Sequence, residues 1–234
     1  MSQMSNEGRD AVRAVHHQIG NSLQSVASLL NLESRSAPPE AATVLSEAGR
    51  RVSAVMRLHQ RLQETDGDFV RLDDLLADIC RDIAELDAVD REAEIRVDLQ
   101  PYCATPRLAA AMAMITAELV GNSLEHGLAR RAGTVEVRLA PTDDGTCLVV
   151  QDDGEGIPDG RLGPGFGLTL VTRLARQLGA KVEKSSGPAG TCFEMTCPGL
   201  WLDPTGSAQP TKVPARVSTC SPFSTQNRRI DDPS

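Results

Sequence analysis

Residues 118–127 read ELVGNSLEHG, the end of a mainly apolar stretch that Pro106 opens as a helix. Glu118 and Asn122 stand four apart and therefore share a helix face. A carboxylate and an amide oxygen so placed could hold a hydrated Mg²⁺, which takes hard oxygen ligands supplemented by water and phosphate. An ordinary surface pair would look the same. The stretches that follow narrow the choice. DDGEGIP (152–158) comes directly after a strand pattern. Its Gly154 and Gly156 let backbone approach a ligand closely or take positive φ. Asp152, at the strand end, can accept a hydrogen bond from an exocyclic amine such as that of adenine, although a tight turn uses the same residues. GPGFGL (163–168) puts Gly163, Gly165 and Gly167 just before a helix, where backbone N–H groups and the helix dipole favour phosphate. A dinucleotide-binding loop is excluded, because the third glycine comes too early and no βαβ unit frames it. A Walker A loop is excluded by the lack of Gly-Lys-Ser/Thr. Finally, GTCFEM (190–195) sets Thr191 at the start of a strand. Each stretch is weak alone; their order is not.

The glycine-bearing stretches lie in a unit that reads as mixed α and β. Helices are expected over 72–86, 107–127 and 168–178, the last closed by Gly179 as a left-handed cap. Strands are expected over 94–99, 134–140, 146–152, 181–184 and 191–196, with TDDG turning a hairpin. Helices grouped against a mostly antiparallel sheet make an α+β sandwich. Upstream, residues 9–35 and 40–63 form a helical hairpin broken at SAPPE. Leu45, Ala48, Val52, Val55, His59 and Leu62 alternate by three and four, a coiled-coil-like seam. A lone hairpin cannot bury such stripes, so two copies are expected to pair as a four-helix bundle, making a homodimer. The polar joint TDGDF (65–69) divides the units. The expected domains are 1–66, 67–200 and a disordered Pro/Ser/Thr-rich tail, 201–234.

Within the first helix, AVHHQIGNSLQSVASLL (14–30) carries adjacent histidines. Val12, Val15, Ile19, Leu23, Val26 and Leu30 share a stripe at helical spacing. His16 falls at its edge, and His17 falls on the opposite, wet side with Asn21 and Gln24. One ring is expected to be half-packed and the other presented to solvent.

Composition removes several classes. Lys and Arg number 24 against 32 Asp and Glu, a net charge of −8, so nucleic acid and anionic membrane are not expected partners. Aromatics are 3% of the residues, too few for base-stacking platforms. Six cysteines without a CxxC pair read as reduced thiols of a cytoplasmic protein. No apolar run reaches the ~18 residues of a membrane span, and MSQMSNEGRD is not a signal peptide.

The ordered stretches resemble the N, DxGxG and GxGxG boxes and the GT strand of the Bergerat, or GHKL, ATP-binding domain of histidine kinases, gyrase-type ATPases and Hsp90. AVHHQIGNSLQSVASLLNLESR is similar to the phosphoacceptor helix of the HWE-like histidine kinases, whose pattern is approximately HHRVKNNLQ…SLL, and MRLHQRL (56–62) is similar to the matching second helix. The two resemblances together span about residues 10–198. They imply a sensor histidine kinase with ATP and Mg²⁺ as cofactors. Asn122 would be the Mg²⁺ ligand, and Glu118 would polarise a water or orient that site. Asp152 would read the adenine amine, with Thr191 in support through a hydroxyl or water. Gly154 and Gly156 would shape the pocket floor, while Gly163, Gly165 and Gly167 would close on the phosphates. His17 would be the nucleophile, and a response-regulator receiver domain the next phosphate acceptor. A separate sensor protein would deliver the signal, since no sensor domain is read in this sequence. The sequence departs from the pattern at Gln18 and Gly20, where Arg and Lys are usual, and at Glu125, often basic. Competing expectations are a phosphotransfer module with impaired ATP chemistry and an anti-sigma-factor-type serine kinase. A gyrase-like ATPase lacks its transducer domain here.

Overall fold

The computed structural model describes residues 2–64, 69–87, 93–129, 131–156, 166–199 and 228–229, with the backbone alone for 2–17, 64, 87, 166 and 228–229. Two long helices, α1 (Ser2–Ser36) and α2 (Pro39–Glu64), form the hairpin. Pro38 and Pro39 set the break, since proline lacks the N–H a helix interior needs but is tolerated in a first turn. The joint at 65–68 lies outside the described residues.

A short ribbon of β1 (Val70–Arg71) and β3 (Cys103–Ala104) brackets α3 (Leu72–Asp87) and β2 (Ala93–Leu99). Helix α4 (Pro106–Asn122) is capped by Thr105, whose side chain accepts the Leu108 N–H at 3.4 Å. The sheet continues with β4 (Gly133–Thr142) and β5 (Gly145–Asp152); after α5 (Phe166–Gln177) come β6 (Lys181–Gly187) and β7 (Gly190–Cys197). Its order is β2-β4-β5-β7-β6-β8, where β8 (Arg228–Arg229) pairs with β6. All pairings in this sheet are antiparallel except β2 with β4, which the α4 crossover makes parallel. Val137, Leu139, Leu148, Val150, Phe193 and Met195 of the sheet bury against the helix side chains Leu76, Met112, Ile115 and Val171. Gly179 takes φ +65° as the cap after α5.

Two expectations are corrected, and one is extended. The helix expected over 107–127 is not one α-helix: after Asn122 the chain widens into a π-turn, Ser123–Gly127. A π-turn adds a residue per turn without breaking periodicity enough to read, and such turns gather at functional sites. Helix α2 also carries a buried face outside the expected seam. Gly49, Arg50, Ala54 and Met56 are the buried residues, whereas Val55 is exposed. Helix α2 has two working faces, one on α1 and one on the ATP-box unit, and Ala54, Leu58 and Leu62 join the main core. Lastly, Cys80, Cys103, Cys147 and Cys197 are buried thiols outside any disulfide, as expected, but Cys192 is disulfide-bonded. Local spacing detects CxxC pairs and does not otherwise reveal which thiols are bridged.

Candidate functional site

Asp152 ends β5 with 2% of its surface exposed. Its Oδ1 accepts the N–H of Gly154 at 3.1 Å and the N–H of Thr191 at 3.1 Å. Burial raises the Asp152 carboxyl above its ordinary value, against the lowering effect of Thr191, Gly154 and Ser123. Thr191 therefore supports Asp152 through its backbone N–H, while its hydroxyl pairs with the Ser186 hydroxyl at 3.0 Å. Gly190 shows why glycine precedes it: φ is +125°, and a Cβ there would lie 1.9 Å from the Asp152 carbonyl oxygen. On the other side, the Glu155 N–H donates to the Gly127 carbonyl at 3.3 Å, tying the turn after β5 to the π-turn.

Asn122 and Glu118 do share a face of α4, as their spacing requires. Glu118 is 2% exposed, and Asn122 is half-buried at the helix end. The start of α5 lies against both: a Cβ on Gly167 would sit 2.5 Å from Glu118 Oε2 and 3.8 Å from Asn122 Nδ2. The structure thus brings Glu118, Asn122 and Gly167 together, and gathers Asp152, Gly154, Gly156 and Thr191 one π-turn away. Gly163 and Gly165, the lid over 157–163 and the side chain of His17 lie outside the described residues. Asn21, one turn after His17 on α1, is exposed.

Sequence reading missed the partners of the two acids. Arg51 of α2 spans Glu118 with both arms, Nε to Oε1 at 2.6 Å and Nη2 to Oε2 at 2.9 Å. Its neighbour Arg50 donates from Nη1 to Glu125 Oε1 at 2.6 Å and to the Ser46 hydroxyl at 2.9 Å. Glu125, which stands where the family pattern is often basic, is thus turned to α2. Burial works against the Arg51 charge, but hydrogen bonds and charge from Glu118, then Glu47, leave its pKa raised. Two more arginines of α2 bind α3, Arg57 to Asp82 and Arg61 to Asp78. One sequence signal was available. Gly121 sits inside α4, where glycine costs about 1 kcal/mol relative to alanine, and such a glycine commonly has a packing reason. Here the Arg50 guanidinium lies where its Cβ would be.

These residues fit a Mg²⁺–nucleotide. Close-packed glycines leave backbone facing the site, Asp152 offers a buried acceptor, and Asn122 a single hard ligand. Among the described residues no three His, Cys, Asp or Glu converge as a metal cage. An ion here would be completed by phosphate and water, as Mg²⁺ prefers. No helix among the described residues is long and apolar enough to cross a membrane.

A three-helix layer on a mixed sheet, with a buried aspartate and glycine-walled turns at the end of its strands, is the class of ATP-binding sandwich that the boxes imply. Comparisons agree. Residues 108–200 match the family described as histidine kinase-, DNA gyrase B-, and HSP90-like ATPase, and residues 14–87 match a family described as histidine kinase. Sensor histidine kinase PdtaS of Mycobacterium tuberculosis is 33% identical over 183 residues, 75% of this chain and 36% of that protein. Its Mycolicibacterium smegmatis counterpart is 32% identical over 176 residues, 71% of this chain and 33% of that protein. The match thus spans about a third of these relatives' length. The histidine kinase domain of the Erythrobacter litoralis blue-light activated kinase EL346 shares the fold, with a TM-score of 0.61 at 22% identity over 76% of this chain and 95% of that one. The chain belongs to the histidine kinases that join this type of helical hairpin to a GHKL ATPase domain.

Proposed function

We propose that this protein is an ATP-dependent histidine kinase of the cytoplasm that phosphorylates His17 and passes the phosphate to an aspartate of a response-regulator receiver domain. The observation that carries this reading is the joint presence of a phosphoacceptor-type helix and a site that brings Glu118, Asn122 and Gly167 together beside Asp152, Gly154 and Thr191. Asp152, pinned by two backbone N–H groups, would read the adenine amine. Asn122 would ligate Mg²⁺, whose role is to neutralise charge on the phosphates, and Glu118 would orient that site. Neutral His17 would attack the γ-phosphorus in line: an N–P bond forms, the bridging P–O bond breaks, ADP leaves and the imidazole gives up its proton. Free histidine has a pKa of about 6.5, so a large share of the rings are already neutral at pH ~7. The division into 1–66, 67–200 and the tail from 201 is retained as part of this proposal, as is a separate partner that carries the stimulus.

Labelling with [γ-³²P]ATP and Mg²⁺ tests it. The parent is expected to acquire acid-labile, alkali-stable label, and His17→Ala and Asn122→Ala are each expected to lose it by at least about a hundredfold, as befits removal of a nucleophile or a ligand in phosphoryl transfer. Label persisting in His17→Ala would remove His17 as the nucleophile. Acid-stable label on a partner's serine would favour the serine-kinase alternative.

The helical hairpin supports a homodimer. Ile19, Val26 and Leu29 of α1 are 42%, 45% and 58% exposed within about a quarter-turn of one another, and Val44 and Val55 add apolar surface on α2. Contiguous apolar surface of this kind marks an interface. Leu29→Glu is expected to convert the dimer to monomer in analytical ultracentrifugation while leaving the circular dichroism spectrum helical. An unchanged sedimentation coefficient would place the dimer contact elsewhere.

A further inference from the structure

Strand alternation sends Leu148, Val150, Phe193 and Met195 into the core beneath the helices, and Cys147, Val149, Cys192 and Glu194 to the opposite face of the sheet. Helices α2, α3, α4 and α5 all contribute to the core on the first face, and α1 packs on α2. An antiparallel sheet with its helices on one side leaves the other side polar and hydrated. Here the outer face is buried at its middle instead. Cys147, Val149 and Cys192 form a second apolar cluster, 3%, 1% and 0% exposed. Burial also raises the Glu194 carboxyl, and the charge of Glu183, its partner across the strands, adds to the effect.

The course of the chain identifies the cover. It leaves β7 at Cys197 and pairs again beyond β6 as β8, Arg228–Arg229. That return spans two strand spacings, roughly 10 Å, so residues 200–227 have ample length to cross the outer face. Cys192, on that face, is disulfide-bonded, whereas Cys80, Cys103, Cys147 and Cys197 are outside any disulfide. Of the six cysteines in the sequence, Cys220 alone remains to be its partner. The segment also suits the face chemically. Val213, Val217 and Phe223 are apolar, and Lys212, Arg216, Arg228 and Arg229 stand against the single acid Asp203, in a chain whose net charge is −8. A basic segment complements Glu183 and Glu194, since like charges directly opposed across strands are unfavourable alone. We infer that residues 200–227 lie across the outer face of the sheet as an arm, stapled there by a disulfide between Cys192 and Cys220. Thr191, whose N–H holds Asp152, precedes the staple by one residue, so the arm backs the strand that shapes the candidate pocket. In a reducing compartment such bridges are transient or redox-sensing. This one forms by exchange with oxidised glutathione. One thiolate attacks the glutathione disulfide and releases a glutathione, and the other thiolate then displaces the second. The two thiols thereby lose two protons and two electrons, which leave with the two glutathiones.

The test takes the full chain, equilibrated with oxidised glutathione, into a tryptic digest without reductant. Mass spectrometry is expected to find the peptide 185–212 joined to the peptide 217–228. The first of these holds both Cys192 and Cys197, so a second digest that cleaves after glutamate separates them at Glu194 and should leave Cys220 joined to the Cys192 side. Unlinked peptides, linkage to Cys197, or a covalent dimer through Cys192 would each overturn the staple. The cover is read in the native protein by the rate at which N-ethylmaleimide labels Cys147 and Cys80, which lie on opposite faces of the sheet. Cys220→Ser is expected to speed labelling of Cys147 by about tenfold, because an unstapled arm opens more often, and to leave Cys80 unchanged. An unchanged rate at Cys147 overturns the arm as its cover. An equal rise at Cys80 overturns it too, since the whole sandwich would then be opening.

Discussion

Asp152→Asn is expected to lower Mg²⁺–ATP affinity by about a hundredfold while making the nucleotide-free protein more stable. The first effect follows from which oxygen is already taken. Gly154 and Thr191 both donate to Oδ1, so an asparagine must place its own oxygen there and its NH₂ at the Oδ2 position. Two donors would then face the adenine amine where an acceptor was needed. Losing a charge-assisted hydrogen bond costs about 1.5–3 kcal/mol, and leaving donors opposed adds to it, which gives the hundredfold. The second effect follows from burial. Because the Asp152 carboxyl is held above its ordinary value, the native state keeps its proton to higher pH than the unfolded chain does. Its contribution to stability is therefore fullest below the unfolded pKa and is lost as pH rises through the folded one. The variant has no such loss. Calorimetry at pH 4 and pH 7 should show the two proteins closer in acid and the variant ahead in thermal midpoint at neutrality. A variant that binds nucleotide like the parent would remove Asp152 from the pocket.

What could be read in the sequence follows from the range of each interaction. Gly154, Gly190 and Asp152 were legible as short glycine-bearing motifs, although the backbone that requires each glycine is remote in the chain: Gly127 faces Gly154, and the Asp152 carbonyl faces Gly190. The strands were legible for a similar reason. Val135, Val137 and Leu139 alternate with Thr134, Glu136 and Arg138, and β4 buries the first set completely. The two-residue β1–β3 ribbon left no alternation to find. The parallel pairing of β2 with β4 depends on where α4 returns the chain, which no window of residues contains. Helix α2 is the instructive failure. Its apolar residues alone suggested one seam, but the face on the sandwich is made largely by arginine: Arg50, Arg51, Arg57 and Arg61 all pair with acids of α3 and α4 or the π-turn. A charged helix face reads as solvent-exposed unless its partners are known, and these partners are far away in the chain. Glu125 shows the other half of this. In the sequence it is only a departure from an often basic position, whereas Arg50 gives it a structural role.

Gly154→Ala is the substitution expected to damage the pocket most, although it adds one methyl group. An ideal Cβ at Gly154 would lie 2.0 Å from the carbonyl oxygen of Gly127, 2.4 Å from its carbonyl carbon and 2.9 Å from Asp152 Oδ1. Carbon and oxygen need more than 3 Å, and two of these three atoms are backbone that no rotamer can move. Gly127 cannot retreat, because it ends the π-turn and a Cβ on it would already lie 2.5 Å from Asp152 Oδ2. The turn after β5 must therefore lift away from the π-turn. That movement breaks the Glu155 N–H to Gly127 hydrogen bond and pulls Gly154 N–H from the carboxylate it helps to hold. Overpacking of about 1–3 kcal/mol, with two hydrogen bonds at about 1 kcal/mol each, gives a loss of about 3–5 kcal/mol. The thermal midpoint should fall by roughly 10 °C, and ATP-analogue binding should vanish even at temperatures where the variant remains folded, since Asp152 and the π-turn no longer meet. Preserved binding with a small thermal shift would show that this turn moves freely, and that Asp152 is placed by Thr191 and β7 without help from the π-turn.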